Sequence, residues 1–286
     1  MSGTPFPLTW LYAPGDRPAV VQKALVSGAD VVIVDLEDAV APERKAYALA
    51  ATVDLLTDPH PVPVHVRIHA HHDIPPLAPL PGLSGFRVPK VTHATDIHRI
   101  AEAVPGIPLF PLLENALALE HAYAIASADP AVHGIALGEA DLRADLGVRD
   151  ECGLDWPRSR LVVAARAAAL PPPAQSVHPD IRDLDSLAAS CARGRSLGFL
   201  GRAAIHPRQL PVIEQAYLPN PDEVAAAEEV VKAAETTEGA LALPDGRFID
   251  AAVVEGARRV LCQGGRGGAP RWGFTLCVIN KYDPTR

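Results

Sequence analysis

The sequence predicts the α/β class: a parallel (β/α)8 TIM barrel followed by a C-terminal helix–hairpin–helix arm or lid. Three observations predict it. Short apolar runs without strict alternation recur along the chain, as in parallel strands buried on both faces. Ala- and Leu-rich helical stretches lie between them. The pair repeats eight times, which a closed barrel explains more economically than an open sheet. An open doubly wound sheet is the alternative, and no G-x-G-x-x-G follows the first strand to favour a dinucleotide site.

The expected strands are LTWLYA (8–13), VVIVDL (31–36), VHVRI (64–68), GFRVPK (85–90), PLFPLL (108–113), GIALG (134–138), QSVHP (175–179) and AAIHP (203–207). Helical segments between them include 18–28, 43–56, 116–128 and 159–170. Pro18 suits a first helical turn, and Gly28 and Gly198 suit helix ends. Past Gln215 the pattern changes. Residues 222–240 read as a helix, 241–250 as a hairpin turning at Asp245-Gly246, and 251–262 as a last helix. The expected organisation is therefore a barrel over 1–217, an arm over 218–262 that packs on a neighbouring subunit, and a tail over 263–286 with no assigned role.

Composition narrows the function classes. The chain has 286 residues, 48% hydrophobic and 21% charged, as in an ordinary globular protein. Its formal net charge of -8 argues against nucleic acid or an anionic membrane as partner. Four cysteines match no zinc module and are expected to be reduced thiols. The N-terminus lacks a signal-peptide pattern, and no apolar run approaches the roughly 20 residues of a membrane span. A cytoplasmic protein is the expectation.

The ionisable residues follow one rule: they stand at or just after the C-terminal ends of the strands, where barrel active sites lie. They include Asp16 and Arg17, Asp35, Glu37 and Asp38, Arg67 and His69, Lys90, Glu114, Asp141, His178 and His206. Charges near a buried mouth cost desolvation unless paired or bound to something. Carboxylates on neighbouring strands, such as Glu114 and Asp141, suit a hard cation like Mg²⁺, and Arg67 and Lys90 supply positive charge for an anionic substrate. Each residue alone has a plainer reading. Asp35 could begin a helix cap, Glu114 could pair with Lys90, Asp141 could cap the helix carrying Arg143, His206 could be a satisfied buried histidine, and Asp250 could cap the helix starting at Ala251. Their shared rim favours function.

A run of collinear motifs from about Leu11 to about Leu261 then resembles one family. These are YAPGDRPAVVQKALVSGADVVIVDLEDAVAPERKAYA, VRIH (66–69), VPK (88–90), PLLENA (111–116), GEADLRADLG (138–147), RSRLVVAARAAAL (158–170), HPDIRDLDSL (178–187), GFLGRAAIHPRQLPVI (198–213) and DGRFIDAAVV (245–254). They resemble citrate lyase beta-subunit-like proteins of the HpcH/HpaI aldolase and CoA-ester lyase superfamily. The resemblance implies a barrel in which Glu114 and Asp141 bind Mg²⁺ and Arg67 binds the carboxylate of a keto or hydroxy acid. Arg17, Lys45 and Lys90 would receive CoA, and Glu37 and Asp38 would hold water around the metal. It implies that Asp250 reaches a neighbouring subunit's site for proton transfer, so the protein would be a homotrimer or larger homo-oligomer.

Departures from the family pattern fall at His69, where Asn is usual, at Thr92, at Glu139-Ala140, at Trp156 and at Phe248. They bear on the substrate. The implied activity is Mg²⁺-dependent cleavage or formation of a carbon–carbon bond in a short hydroxyacyl-CoA, giving acetyl-CoA or a homologue plus a 2-keto acid. The rival readings are a malate-synthase-like or malyl-CoA thioesterase activity, an acyl-carrier-dependent citrate lyase subunit, and a non-catalytic barrel.

Overall fold

The computed structural model describes residues 6–236, 241–242, 246 and 248–264. The chain forms two compact units, one spanning Pro7–Tyr217 and the other including the chain from Leu218.

The first unit alternates strand and helix. Its elements are β1 (Thr9–Pro14), α1 (Pro18–Leu25), β2 (Val31–Asp35), α2 (Lys45–Leu56), β3 (Val64–Arg67), α3 (Ile74–Leu77), β4 (Leu83–Val88), α4 (Ala94–Ala103) and β5 (Leu109–Leu113). They continue with α5 (Ala116–Glu120), α6 (Ala122–Ala126), β6 (Ala136–Leu137), α7 (Glu139–Leu146), α8 (Asp155–Ala167), α9 (Leu184–Ser196), β7 (Arg202–Ala204) and α10 (Leu210–Tyr217). The strands form one curled, all-parallel sheet in the order β6-β5-β4-β3-β2-β1-β7. Val32, Val34, Val64 and Val66 are fully buried at its centre. Burying each such side chain contributes about 1.5–3 kcal/mol. That explains why continuous apolar runs, and not alternating ones, mark these strands.

One expected strand differs. The run 175–179 makes a single parallel bridge, Gln175 with Arg202. Its neighbours explain this: Pro171, Pro172 and Pro173 precede it and Pro179 ends it, and proline cannot donate to a ladder. On its other side the contact is a side-chain one, with Ser176 Oγ donating to the Leu137 carbonyl at 2.6 Å. The expected helix over 116–128 is interrupted at His121 into α5 and α6. Pro18 opens α1 as expected, and Gly28 and Gly198 take φ of +88° and +96°.

In the second unit, α11 (Pro221–Thr236) and α12 (Ala251–Gly264) flank a short antiparallel pair, β8 (Leu241–Ala242) and β9 (Phe248–Ile249). Ala227, Val230, Ile249 and Ala257 form its buried core, with Val254, Val260 and Leu261 packed on it. Gly246 has φ +88°, as the expected turn requires; Asp245 and the tail beyond Gly264 lie outside the described residues. Cys152 and Cys191 are free thiols, whereas Cys262 is disulfide-bonded, which departs from the expectation of four reduced cysteines. Among the described residues no helix is long and apolar enough to cross a membrane.

Candidate active site

A cavity of about 1320 Å³ opens at the C-terminal ends of the strands of the first unit and runs into the curled sheet. Much of its lining comes from alternate residues along the strands: Trp10, Tyr12 and Pro14; Ile33 and Asp35; Leu112 and Glu114; Ala136 and Gly138. This is the two-residue period of a pleated strand, whose alternate side chains share a face. Asp35 and Arg67 end their strands, and Lys90 and Glu114 closely follow theirs, so these polar groups gather at one rim.

Arg67 organises one side of that rim. It donates from Nε to Asp35 Oδ1 at 2.7 Å and from Nη2 to Asp35 Oδ2 at 2.6 Å, a bidentate pair. Its Nη1 lies 3.1 Å from Glu37 Oε2 and 3.3 Å from Asp38 Oδ2. Burial would lower the Arg67 pKa, but the hydrogen bonds and charge of Asp35 outweigh it and raise it. Asp35 also accepts from the backbone N–H of Glu37 and Ala39, so it shapes the D-L-E-D turn as well as holding Arg67. No helix starts at this turn, the next helical one being capped by Ala41, so the plainer reading of Asp35 as a helix cap does not hold: it closes a turn and anchors Arg67.

Lys45 donates from Nζ to the carbonyls of Leu36 at 2.8 Å and Glu37 at 2.5 Å, fixing the same turn from beneath. Because the fork of Arg67 is spent on a carboxylate that is 1% exposed, Lys cannot replace it. Arg67→Lys should lower stability by about 1–3 kcal/mol, the cost of a buried acceptor left short of a donor, measured by urea denaturation. An unchanged midpoint would mean that Asp35 does not depend on the fork.

Glu114 lies across the rim, 5% exposed. It does not pair with the Lys90 ammonium, as its plainer reading supposed. Its Oε2 accepts the backbone N–H of Lys90 at 3.0 Å, while Lys90 Nζ reaches Glu37 Oε1 at 2.9 Å. Lys90 takes φ of +57°, a conformation costly for a side-chain-bearing residue, and this strained turn carries the N–H that meets Glu114. Burial pushes the Glu114 carboxyl up to about 7. The Lys90 N–H and Arg67 pull the other way, and the charges of Glu37 and Asp141 add to the rise.

Gly138 closes the pocket: a Cβ there would stand 2.4 Å from Glu114 Cγ. Asp141 sits in the first turn of α7, whose N-cap is Gly138, so Asp141 is not the cap. Both Glu37 oxygens lie within ion-pair range of Arg67 and Lys90, yet neither accepts a well-aligned hydrogen bond. The rim thus holds a desolvated carboxylate, Glu114, crowded by the charges of Glu37 and Asp141, while Arg67 and Lys90 are engaged with Asp35 and Glu37. Among the described residues no group of three or more His, Cys, Asp or Glu forms a ready metal cage. The donor set fits Mg²⁺, which commonly takes one or two carboxylates and keeps waters.

Other expected residues stand apart. Arg17 is the N-cap residue of α1, with a side chain 67% exposed and 4.0 Å from Asp16. His206 is half-buried and caps a short turn, with Nδ1 accepting the Arg208 N–H. Asp250, in the second unit, is the N-cap of α12. Its Oδ1 accepts the N–H groups of Ala252 and Val253, both at 2.9 Å, and its Oδ2 makes no hydrogen bond among the described residues.

Several cavity residues have no role assigned from the sequence, among them Tyr12, Arg87, Arg158 and Arg202. Arg158 on α8 is 2% exposed and donates bidentately to Glu139 at 2.8 and 2.6 Å, and to Glu151. Glu139, where the sequence departs from the family pattern, is therefore the ion-pair partner of the buried Arg158.

A family model described as HpcH/HpaI aldolase/citrate lyase matches residues 8–207, which carry every strand of the curled sheet and the whole rim. The chain belongs to that family. A (3S)-malyl-CoA thioesterase of Cereibacter sphaeroides (strain KD131) is 32% identical over 267 residues, 88% of this chain and 93% of the relative. A citrate lyase subunit beta-like protein of Mycobacterium tuberculosis is 34% identical over 269 residues, 90% and 95% of the two chains. The crystal structure of the M. tuberculosis protein CitE, in complex with magnesium, acetoacetate and coenzyme A, superposes with a TM-score of 0.78 at 32% identity, over 91% of this chain and 98% of that one. The family is thus represented by structures solved with magnesium and a CoA ligand.

Proposed function

We propose that this protein cleaves, or forms, a carbon–carbon bond in a short hydroxyacyl-CoA of the malyl-, citramalyl- or citryl-CoA type. The products of cleavage would be acetyl-CoA or a homologue and a 2-keto acid. The observation that carries the reading is the desolvated Glu114 beside Asp141 and Glu37, opposite Arg67 on one rim. Glu114 and Asp141 would hold Mg²⁺, which when bound supplies a Lewis acid to take up charge on the substrate oxygen as the bond breaks.

The chain's own groups do the rest. Arg67, locked by Asp35, presents its Nη1 edge to the substrate carboxylate. Glu37 and Asp38, the present neighbours of that edge, would turn to the waters around the cation. Arg17 and Lys90, both with exposed side chains, would meet the CoA phosphates; Lys45 would act by holding the turn between them. Asp250 of a neighbouring copy would give the proton that the acyl-CoA carbon needs once the keto acid leaves.

The same reading takes residues 1–217 as a complete eightfold barrel, 218–262 as an arm over a partner, and the working form as a cytoplasmic homo-oligomer. A second reading is hydrolysis of the thioester on the same rim, favoured by the 32% identical malyl-CoA thioesterase. A panel of malyl-, citramalyl-, citryl- and methylmalyl-type CoA esters with Mg²⁺, read by mass spectrometry, tests both. Consumption of none of them would leave the non-catalytic reading.

A further inference from the structure

Four arginines of the first unit are buried or nearly so around the cavity, and three have partners. Arg67 has Asp35, Glu37 and Asp38; Arg158 has Glu139 and Glu151. Arg202 donates from Nη1 to Ser190 at 2.9 Å and Gln175 at 3.2 Å. Arg87 is the exception. It is 7% exposed and lines the cavity, but among the described residues it makes no ion pair, and its Nε has no hydrogen-bond partner.

The neighbours of Arg87 are all uncharged or cationic. Its guanidinium lies 4.6 Å from the Phe110 ring centroid, and His65 stacks on the same ring at 4.4 Å. Arg67 is its register partner on β3, a second cation on the same face of the sheet, already neutralised by Asp35. A guanidinium does not shed its proton, so this one stays charged where burying an unpaired charge is costly. Nor is the cavity it lines filled. Interiors of such sheets are usually packed with branched apolar side chains. Here Ala136, Ala174 and Ala203 line the cavity together with Tyr12, whose hydroxyl makes no hydrogen bond among the described residues.

We propose that Arg87, with Tyr12, forms an anion subsite inside the sheet beneath the acidic rim, and that the acid half of the substrate carries a second carboxylate that ends there. The inference rests on the reading of the rim as the reaction centre. The first carboxylate lies at Arg67, the CoA half leaves outward past the exposed Arg17, and the inward end of the acid half meets Arg87. A substrate whose acid half has only one carboxylate would leave that cation bare, so Arg87 selects for a 2-oxodicarboxylate over a 2-oxomonocarboxylate.

The test is direct binding, by calorimetry on the full chain with Mg²⁺, of 2-oxoglutarate and of 2-oxopentanoate, which match in length and differ in the second carboxylate. The wild type should prefer the diacid by about 10-fold or more, as a charge-assisted pair requires. Arg87→Met, close in length and apolar, should erase the preference, leave the monoacid Kd unchanged, and fold with an undiminished Tm, because it removes an unpaired buried charge. Arg87→Gln serves if the Met variant does not fold.

Equal affinity for the two acids, no binding of either, or a preference that survives in Arg87→Met would each overturn the subsite. The two readings fail separately. An Arg87-dependent diacid preference in a protein that cleaves no CoA ester sinks the lyase reading alone. Ester cleavage with a discrimination indifferent to Arg87 sinks the subsite alone.

Discussion

Glu114→Gln should abolish Mg²⁺-dependent turnover, a loss of at least about 1,000-fold, while the fold survives. Gln is nearly isosteric and keeps an oxygen for the Lys90 N–H, so the backbone turn need not move. What it removes is the negative charge that a hard cation requires. Asp141→Asn should act the same way, because two carboxylates are the whole of the expected protein ligand set. Calorimetric titration of Mg²⁺ against each variant separates lost metal from lost chemistry, and turnover preserved at limiting metal in either one refutes the ligand assignment.

The sign of the pH dependence follows from the raised Glu114 carboxyl. Its folded pKa of about 7 exceeds the ordinary 4.5, so the folded state holds the proton more tightly than the unfolded one. In the metal-free protein that contribution to stability is present below about pH 4.5 and is lost as pH rises through 7, on the order of 3 kcal/mol in all. Mg²⁺ competes with the same proton, so its affinity should rise across this window. Glu114→Gln should flatten both trends, which thermal melts at pH 5 and pH 8, with and without Mg²⁺, will read.

Asp250→Asn should reduce kcat by about 100-fold or more with little change in stability. The geometry makes this substitution informative. Asp250 caps α12 through Oδ1, and Asn caps a helix about as well as Asp, so the cap survives while the acid is lost. Asp250→Ala should cost about 1 kcal/mol in addition. Were Asp250 only a cap, Asn would be silent in both measurements. Mixing Asp250→Asn chains with Glu114→Gln chains then reports whether sites are shared. Hybrid oligomers should regain activity, since some sites combine an intact Asp250 with an intact Glu114. No recovery after demonstrated subunit exchange would remove Asp250 from a neighbour's site.

The sheet was legible where burial on both faces leaves a continuous apolar run, as at 31–36 and 64–68. It was least legible at 175–179. Prolines flank that run and it is joined on one side by the Ser176 hydroxyl, a contact that no hydropathy pattern encodes. At the rim, position in the sequence identified Arg67, Lys90 and Glu114, because each interrupts or ends an apolar run. It could not say which charges meet. Glu114 takes the Lys90 N–H and not its ammonium, and Asp35, read as a cap, takes the fork of Arg67. Arg87 was hidden in GFRVPK because a single charge inside a strand has no marked direction until the register shows it beside Arg67. The same kind of signal, a charge within an apolar run, had marked Arg67.

The measurement closest to the central claim is the product balance from the best ester of the panel, with Mg²⁺ present and wild-type protein. Free CoA, acyl-CoA and the released acid should be quantified together. Carbon–carbon cleavage predicts one short acyl-CoA and one 2-keto acid per ester consumed, with no free CoA formed. Free CoA and an intact hydroxy acid in equal amounts, with no acyl-CoA at any time, would contradict it and assign the rim to thioester hydrolysis.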